Sequence, residues 1–152
     1  MHKQTTYFRS PLGIIKIEAS RERITSLSFV DSAANNCTRE SNLLNTCIEQ
    51  LQEYFNKSRE YFSLPYSIQG TAFQKKVWIE VERIRYANWA KYKDIALALN
   101  NPNSCRAVGN AVRANPLPII IPCHRILGSD GKLTGYSSGL WRKKWLLEHE
   151  KA

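Results

Sequence analysis

The chain has 152 residues, with 22 Lys+Arg against 13 Asp+Glu and a formal net charge of +9. Hydrophobic residues at 43%, charged residues at 23%, and 5 Phe, 4 Trp and 7 Tyr suit one compact domain or two small lobes, and exclude a disordered or low-complexity chain. No apolar run approaches the roughly 20 residues of a membrane helix, and Met1-His2-Lys3-Gln4-Thr5-Thr6 lacks the apolar stretch of a secretory signal. A soluble protein of a reducing compartment is therefore expected.

The cysteines agree with that compartment. Cys37, Cys47, Cys105 and Cys123 form neither a CxxC pair nor the dense spacing of a disulfide framework. With His2, His124 and His149 as the only histidines, a tetrahedral zinc site needs scattered ligands. The cysteines are expected to be thiols. The charge is uneven: residues 1–65 carry 8 Lys+Arg and 7 Asp+Glu, residues 66–152 carry 14 and 6. An excess confined to one part of the chain is what a polyanion-binding surface produces, although a solubilising surface also accounts for basic charge.

In chain order, Thr5–Phe8, Gly13–Ala19 and Ile24–Val30 read as strands, the first two around the turn Ser10-Pro11-Leu12-Gly13. After the polar stretch Asp31–Asn42, residues Leu43, Leu44, Cys47, Ile48, Leu51, Tyr54 and Phe55 recur at helical spacing, an amphipathic helix of about four turns. Ser63–Gly70, with Pro65, reads as the connection to a second lobe. That lobe opens with Thr71-Ala72-Phe73-Gln74, which has capping-box spacing. Phe73, Val77, Val81 and Ile84 then share a helical face.

A short helix at about Lys91–Leu99, the polar turn Asn100-Asn101-Pro102-Asn103 and another helix at about Ser104–Ala114 suggest a helix-turn-helix. Such pairs are also common in all-α cores. In the second helix Val108, Ala111 and Val112 are placed to face inward, while Arg106, Asn110 and Arg113 project elsewhere. Its first turn, Ser104-Cys105-Arg106-Ala107, is mostly small. Small side chains permit close approach to a partner surface, and a helix N-terminus favours phosphate.

Next comes Asn115-Pro116-Leu117-Pro118-Ile119-Ile120-Ile121-Pro122-Cys123-His124-Arg125. Three β-branched isoleucines point to a buried strand whose length the prolines limit. Cys123 follows, beside a titratable imidazole and a guanidinium. A nearby base or cation raises the thiolate fraction, and the thiolate is the nucleophile. Neighbouring residues of an extended chain face opposite sides, so either the chain bends after Pro122 or a water relays the proton from Cys123 to His124. Taken alone, the pair also fits a buried thiol beside a satisfied core histidine, and Glu150 alone fits a solvated helix end.

Ile121-Pro122-Cys123-His124-Arg125-Ile126 resembles the active-site signature of the O6-alkylguanine-DNA alkyltransferases, also called methylated-DNA–protein-cysteine methyltransferases. Gly70-Thr71-Ala72-Phe73-Gln74, Arg106-Ala107-Val108-Gly109-Asn110-Ala111, Arg113-Ala114-Asn115-Pro116, Gly135-Tyr136-Ser137 and Gly139-Leu140 through Leu147 resemble further family segments, in order and spacing, over nearly all of residues 70–150. The resemblance implies an α/β (α+β) protein. Residues 1–66 would form a small ribonuclease-H-like sheet-plus-helix lobe, similar only in architecture. Residues 67–152 would form a mainly helical lobe with the helix-turn-helix and the active site.

It also implies an irreversible, single-turnover DNA-repair methyltransferase. Such a protein flips O6-methylguanine, with O4-methylthymine a further substrate to consider, out of duplex DNA and moves the alkyl group to its own cysteine. By resemblance Cys123 is that nucleophile, His124 takes its proton through a water, Glu150 orients and balances His124, and Asn115 braces the active-site turn. Tyr92, Tyr136, Ser137 and Ile126 would line or read the base, with Ser137 donating to O6 and the carbonyls of Cys123 and Ile126 reading the amino group. Arg106 would fill the gap in the stack. Lys93, Asn101, Ser104, Cys105 and Ser129 would meet the DNA, in the minor groove.

No cofactor is implied, since the lesion is the alkyl donor. The zinc-binding residues of some members are not recognisable here, so no metal is assigned. The expected partner is double-stranded DNA carrying O6-alkylguanine, with no membrane, a monomeric state and a cytoplasmic location (nuclear in a eukaryote). The loop before Tyr92 departs from the family pattern. Where Pro and Gly are common it reads Ile84-Arg85-Tyr86-Ala87-Asn88-Trp89. Rival readings are a non-catalytic alkyltransferase-like lesion binder, whose members replace the cysteine, a helix-turn-helix regulator without chemistry, and a Cys-His thiol hydrolase.

Overall fold

A computed structural model describes residues 3–34 and 41–151. His2, Cys37 and half of the polar stretch before the first helix, residues 35–40, lie outside the described residues. The chain divides into two compact units, Met1–Gln69 and Gly70–Ala152, and the fold is α+β, as expected.

The first unit is an antiparallel sheet of β1 (Lys3–Ser10), β2 (Gly13–Ser20) and β3 (Arg23–Val30), in that order, with α1 (Asn42–Phe55) packed against it. Ser10 closes the first turn: its hydroxyl donates to the Gly13 carbonyl at 2.7 Å and accepts from the Leu12 amide at 3.1 Å. In β2 the buried residues Ile15, Ile17 and Ala19 alternate as a half-buried strand requires. In β3 the buried pair is Ile24 and Leu27, three apart. The pairing passes from Glu18↔Ser26 to Ala19↔Ile24, so Thr25 is an extra bulge residue and both apolar side chains reach one face.

The helix begins at the Ser41 cap, whose hydroxyl accepts from the Leu44 amide, and buries Leu44, Cys47, Leu51 and Tyr54. Gln50 is buried with them. Its amide donates to the Ser63 carbonyl at 3.1 Å and accepts from the Ser63 amide at 3.0 Å, the full pairing that a buried polar group needs. The segment read as a plain connection also joins the sheet, since Ile24 donates to the Pro65 carbonyl and accepts from Ser67.

The second unit opens with α2 (Ala72–Glu82). Its capping box is complete: the Thr71 hydroxyl accepts from the Gln74 amide, and the Gln74 side chain from the Thr71 amide. The buried residues are Val77, Trp78 and Val81, so Trp78 joins the expected apolar face, and its indole donates to the Ala111 carbonyl at 2.8 Å. Gly70 is required by that ring, because a Cβ there would lie 2.5 Å from it. The turn at Arg85–Asn88 places Ala87 at φ +65°, where glycine is the unstrained choice.

Then follow β4 (Ala90–Lys91), α3 (Tyr92–Ala98) and α4 (Cys105–Arg113), the helix-turn-helix. Val108, Gly109, Ala111 and Val112 are buried, and Arg106, Asn110 and Arg113 are exposed. After a short 3₁₀ turn at Cys123–Arg125, β5 (Ile126–Leu127) pairs in parallel with β4, and α5 (Leu140–Lys151) ends the unit.

Candidate active site

The expected strand at Ile119–Ile121 is a compact turn. Pro116, Pro118 and Pro122 lack the N–H groups that a ladder requires, and the segment instead closes on itself, the Ile121 amide donating to the Leu117 carbonyl at 2.8 Å. Ile119 takes φ +76°, a left-handed conformation that a β-branched residue adopts only under constraint. Asn115 supplies the constraint. Its side chain accepts from the Leu117 amide and donates to the Ile121 carbonyl, both at 2.9 Å.

That Ile121 carbonyl also accepts the Cys123 amide at 2.7 Å. Pro122 sits at φ −78°, ψ 62°, so this is an inverse γ-turn, and the chain bends there. The bend expected as one of two routes for Cys123 and His124 is present. Asn115 is thus one carbonyl away from the backbone of Cys123. The Cys123 carbonyl already accepts the Ile126 amide, which leaves it one lone pair for any ligand.

Cys123 is 4% exposed. Burial pushes its thiol up, while the Asn115 amide, the Lys143 ammonium and the Tyr136 hydroxyl act in the opposite direction. The buried Tyr136 hydroxyl is itself pushed well up, first by burial and then by Cys123. His124 is fully buried, and its Nε2 lies 2.7 Å from Glu150 Oε2. Burial lowers the imidazole pKa, the bond and charge of Glu150 oppose this, and the charges of Arg125 and Lys143 add to it.

Glu150, 3% exposed, is held well below the usual carboxylate range. Burial works against that shift, and the bonds and charges of His124 and Arg125 overcome it. An ionised Glu150 only accepts, so Nε2 carries a proton, and in a neutral imidazole the lone pair is then on Nδ1. Nδ1 is buried and has no hydrogen-bond partner among the described residues. His124 and Glu150 therefore meet as a base and the carboxylate that orients it, and the buried thiol of Cys123 is the next residue in the chain.

The expected base- and DNA-contacting residues are distributed around this centre. A cleft of about 390 Å³ is lined by Tyr92, Lys93, Cys105, Arg106, Gly109, Arg113, Ser129, Thr134 and Gly135. It brings Tyr92, Lys93, Cys105, Arg106 and Ser129 together. Asn101 and Ser104 lie in the turn before α4 and are not in its lining; there the Ser104 hydroxyl donates to the Asn101 carbonyl at 2.7 Å rather than capping the helix. Ser137 is exposed and Ile126 fully buried. Gly135 links the cleft to the thiol, since the next residue is Tyr136.

Two profiles account for this layout: residues 72–152 match that of the 6-O-methylguanine DNA methyltransferase DNA-binding domain, and residues 3–68 that of its ribonuclease-like domain. The chain belongs to the 6-O-methylguanine DNA methyltransferase family. A constitutive methylated-DNA–protein-cysteine methyltransferase of Bacillus subtilis is 42% identical over 140 residues, covering 87% of this chain and 85% of the relative. The crystal structure of Mycobacterium tuberculosis O6-methylguanine methyltransferase superposes with a TM-score of 0.89 at 33% identity, covering 99% of this chain and 93% of the other. The structure of that organism's OGT in complex with DNA gives 0.87 at 35%, with coverage of 99% and 93%.

Sequence reasoning missed Lys143 in this family member's site, and it placed Arg125 beside Cys123 without its partner Glu150. Lys143 is fully buried and donates to the Thr134 carbonyl at 2.7 Å. Burial brings its pKa down to about 8, and Cys123 opposes that shift. Arg125, 6% exposed, donates from Nε and Nη2 to the two oxygens of Glu150 at 2.8 and 2.9 Å, and from Nη1 to the Ile84 carbonyl at 2.7 Å. Only its place beside Cys123-His124 marked Arg125 in the sequence. For Lys143 the signal is its spacing from Glu150, seven residues along one helical face.

Proposed function

We propose that this chain is a single-turnover DNA-repair methyltransferase that moves the methyl group of O6-methylguanine, flipped from duplex DNA, onto the sulfur of Cys123. The observation that carries this reading is the open Nδ1 of a buried His124 whose other nitrogen is engaged by Glu150. A base so oriented, next to a buried thiol, is an arrangement for activating a sulfur nucleophile.

Burial keeps Cys123 a thiol until substrate arrives, and a thiolate of high basicity is intrinsically the stronger nucleophile. In the reaction the Cys123 proton passes through one water to His124 Nδ1, and the sulfur attacks the methyl carbon. The carbon–O6 bond breaks as the sulfur–carbon bond forms, and the guanine leaves with the electron pair. Ser137 hydrogen-bonds the departing O6, and the guanine anion becomes neutral by taking a proton at N1, which balances the proton that Cys123 released. The thioether is stable, so each molecule reacts once. No separate methyl donor is involved.

Docking uses α4 in the minor groove, where the small first-turn residues Ser104 and Cys105 permit close approach. Arg106 fills the space of the extruded nucleotide, since a guanidinium both stacks and hydrogen-bonds the orphaned base. Tyr92 lines the base cleft, Tyr136 the pocket beside Cys123, and Ile126 offers its carbonyl to the guanine amino group, while Lys93, Asn101 and Ser129 meet the backbone. Asn115 holds the Cys123 turn in register. The protein acts as a monomer in the cytoplasm, or in the nucleus of a eukaryote. No helix among the described residues is long and apolar enough to cross a membrane. A non-catalytic lesion binder is set aside, because the full-length relatives are named as methyltransferases.

The test is peptide mass spectrometry after mixing with a duplex carrying one O6-methylguanine. One methyl group on the Cys123 peptide, at one per molecule, is expected, and Cys123→Ala should bind without reacting. Unmodified protein that still binds the lesion would refute the transfer.

A further inference from the structure

Four donors converge on Glu150. Oε1 accepts Arg125 Nε at 2.8 Å and the Ala87 amide at 3.2 Å, while Oε2 accepts Arg125 Nη2 at 2.9 Å and His124 Nε2 at 2.7 Å. The guanidinium engages both carboxylate oxygens in the fork geometry that defines an Arg–carboxylate pair. Its third edge is held by the Ile84 carbonyl at 2.7 Å, and it lies over the Tyr86 ring at 5.8 Å. Arg125 therefore ties the 84–87 loop, which departs from the family pattern, to the carboxylate that orients the base.

The electrostatic consequence follows from counting charges. A buried Glu⁻–His pair with no third partner is a strong carboxylate beside an imidazole, and it draws a proton onto the imidazole. With Arg125 on both oxygens, the carboxylate charge is already neutralised, and the imidazole keeps an open lone pair. Among the described residues the charged groups acting on His124 are Glu150 and Lys143 from α5 and Arg125 from its own turn, and Tyr136 faces the Cys123 thiol of the preceding residue. Of these, only Glu150 favours an imidazolium.

We infer that Arg125 is a positioning residue for alkyl transfer: by its fork on Glu150 and its charge it keeps His124 a neutral Nε2–H tautomer whose Nδ1 can receive the Cys123 proton. This rests on the methyltransferase reading above. Arg125 touches neither the sulfur nor the lesion in this role; it acts through Glu150.

The experiment compares wild type, Arg125→Gln and Arg125→Lys in single-turnover methyl transfer from an O6-methylguanine duplex between pH 5 and 8. Amplitude counts folded, competent molecules, and the rate constant's acid midpoint reports the base. Arg125→Gln is expected to move that midpoint up by about one pH unit, making transfer about tenfold slower on the acid side. Arg125→Lys should stay near the wild-type midpoint. A Gln variant with full amplitude and an unmoved midpoint overturns the inference, as does a Lys variant that shifts as far as Gln.

If Arg125→Gln does not fold, ¹⁵N NMR of the wild-type histidines decides. A buried His124 that is neutral and Nε2-protonated at pH 7 supports the inference, and an imidazolium or Nδ1–H tautomer overturns it. The NMR result stands whether or not wild type transfers methyl, so the two readings fail separately.

Discussion

Replacing Asn115 with Ala removes the clamp on the turn before Cys123. Two hydrogen bonds of 2.9 Å are lost, and their backbone partners belong to residues that are fully buried, Leu117 and Ile121. The Leu117 amide left without its partner costs about 1–3 kcal/mol, and the Ile121 carbonyl, which keeps the Cys123 amide, loses one bond of about 1 kcal/mol. Against this, Ile119 at φ +76° stores about 1–3 kcal/mol of strain, part of which is released when the turn relaxes. The net loss is about 2 kcal/mol, a fall in Tm of about 4–8 °C for a chain of this size.

The kinetic effect should be larger than the stability effect. The Ile121 carbonyl that loses Asn115 also anchors the Cys123 amide, and a displacement of about 1 Å at a reacting atom costs about 100-fold in rate. Single-turnover transfer at 25 °C, read as rate and amplitude separately, is the assay. Asn115→Asp is the companion, since it keeps the acceptor for Leu117 and lacks the donor to Ile121. A full-amplitude Asn115→Ala protein with the wild-type rate would refute the clamp.

Arg106→Ala should impair repair of duplex DNA far more than reaction with free O6-alkylguanine, measured as the ratio of the two second-order rates; equal losses would remove its role in the stack. Lys143→Met bears on the buried ammonium. Its folded pKa, about 8, lies below the unfolded value of about 10.4, so between these values the unfolded chain binds more protons and stability gains with rising pH. Urea titrations should find that the wild-type-minus-Met difference in stability rises from pH 8 to 10, and transfer by the variant should be slower because a cation opposing thiol protonation is gone. Ala87→Gly should stabilise by about 1 kcal/mol, since Ala there is left-handed; a lower Tm for the Gly variant would contradict that reading.

Much of the molecule was legible because the signals are local. The Thr71–Gln74 capping box lies within one turn, and the inward pattern Val108, Ala111, Val112 repeats at the helical period. Cys123, His124 and the family segments are contiguous strings. The isoleucine run misled for a related reason. β-branching favours a strand, but the outcome depended on where three missing N–H groups and one asparagine clamp left the backbone, which needs the turn in three dimensions.

By itself, the sequence determined the helices α1 to α4, the sheet with its α1 partner, the basic character of the second part and the motif around Cys123. Each depends on residues within a few positions of one another. Only the tertiary structure decided which charges are interior. The buried face of α5 is Lys143, Leu146 and Glu150, with one apolar residue in three, so hydrophobic periodicity cannot select it. That face is set by what packs on it: Arg125 and His124 from the 3₁₀ turn, 25 and 26 residues away in the chain. An ion pair is stable in the interior only when its partners arrive with matching geometry, and that matching is a property of the fold.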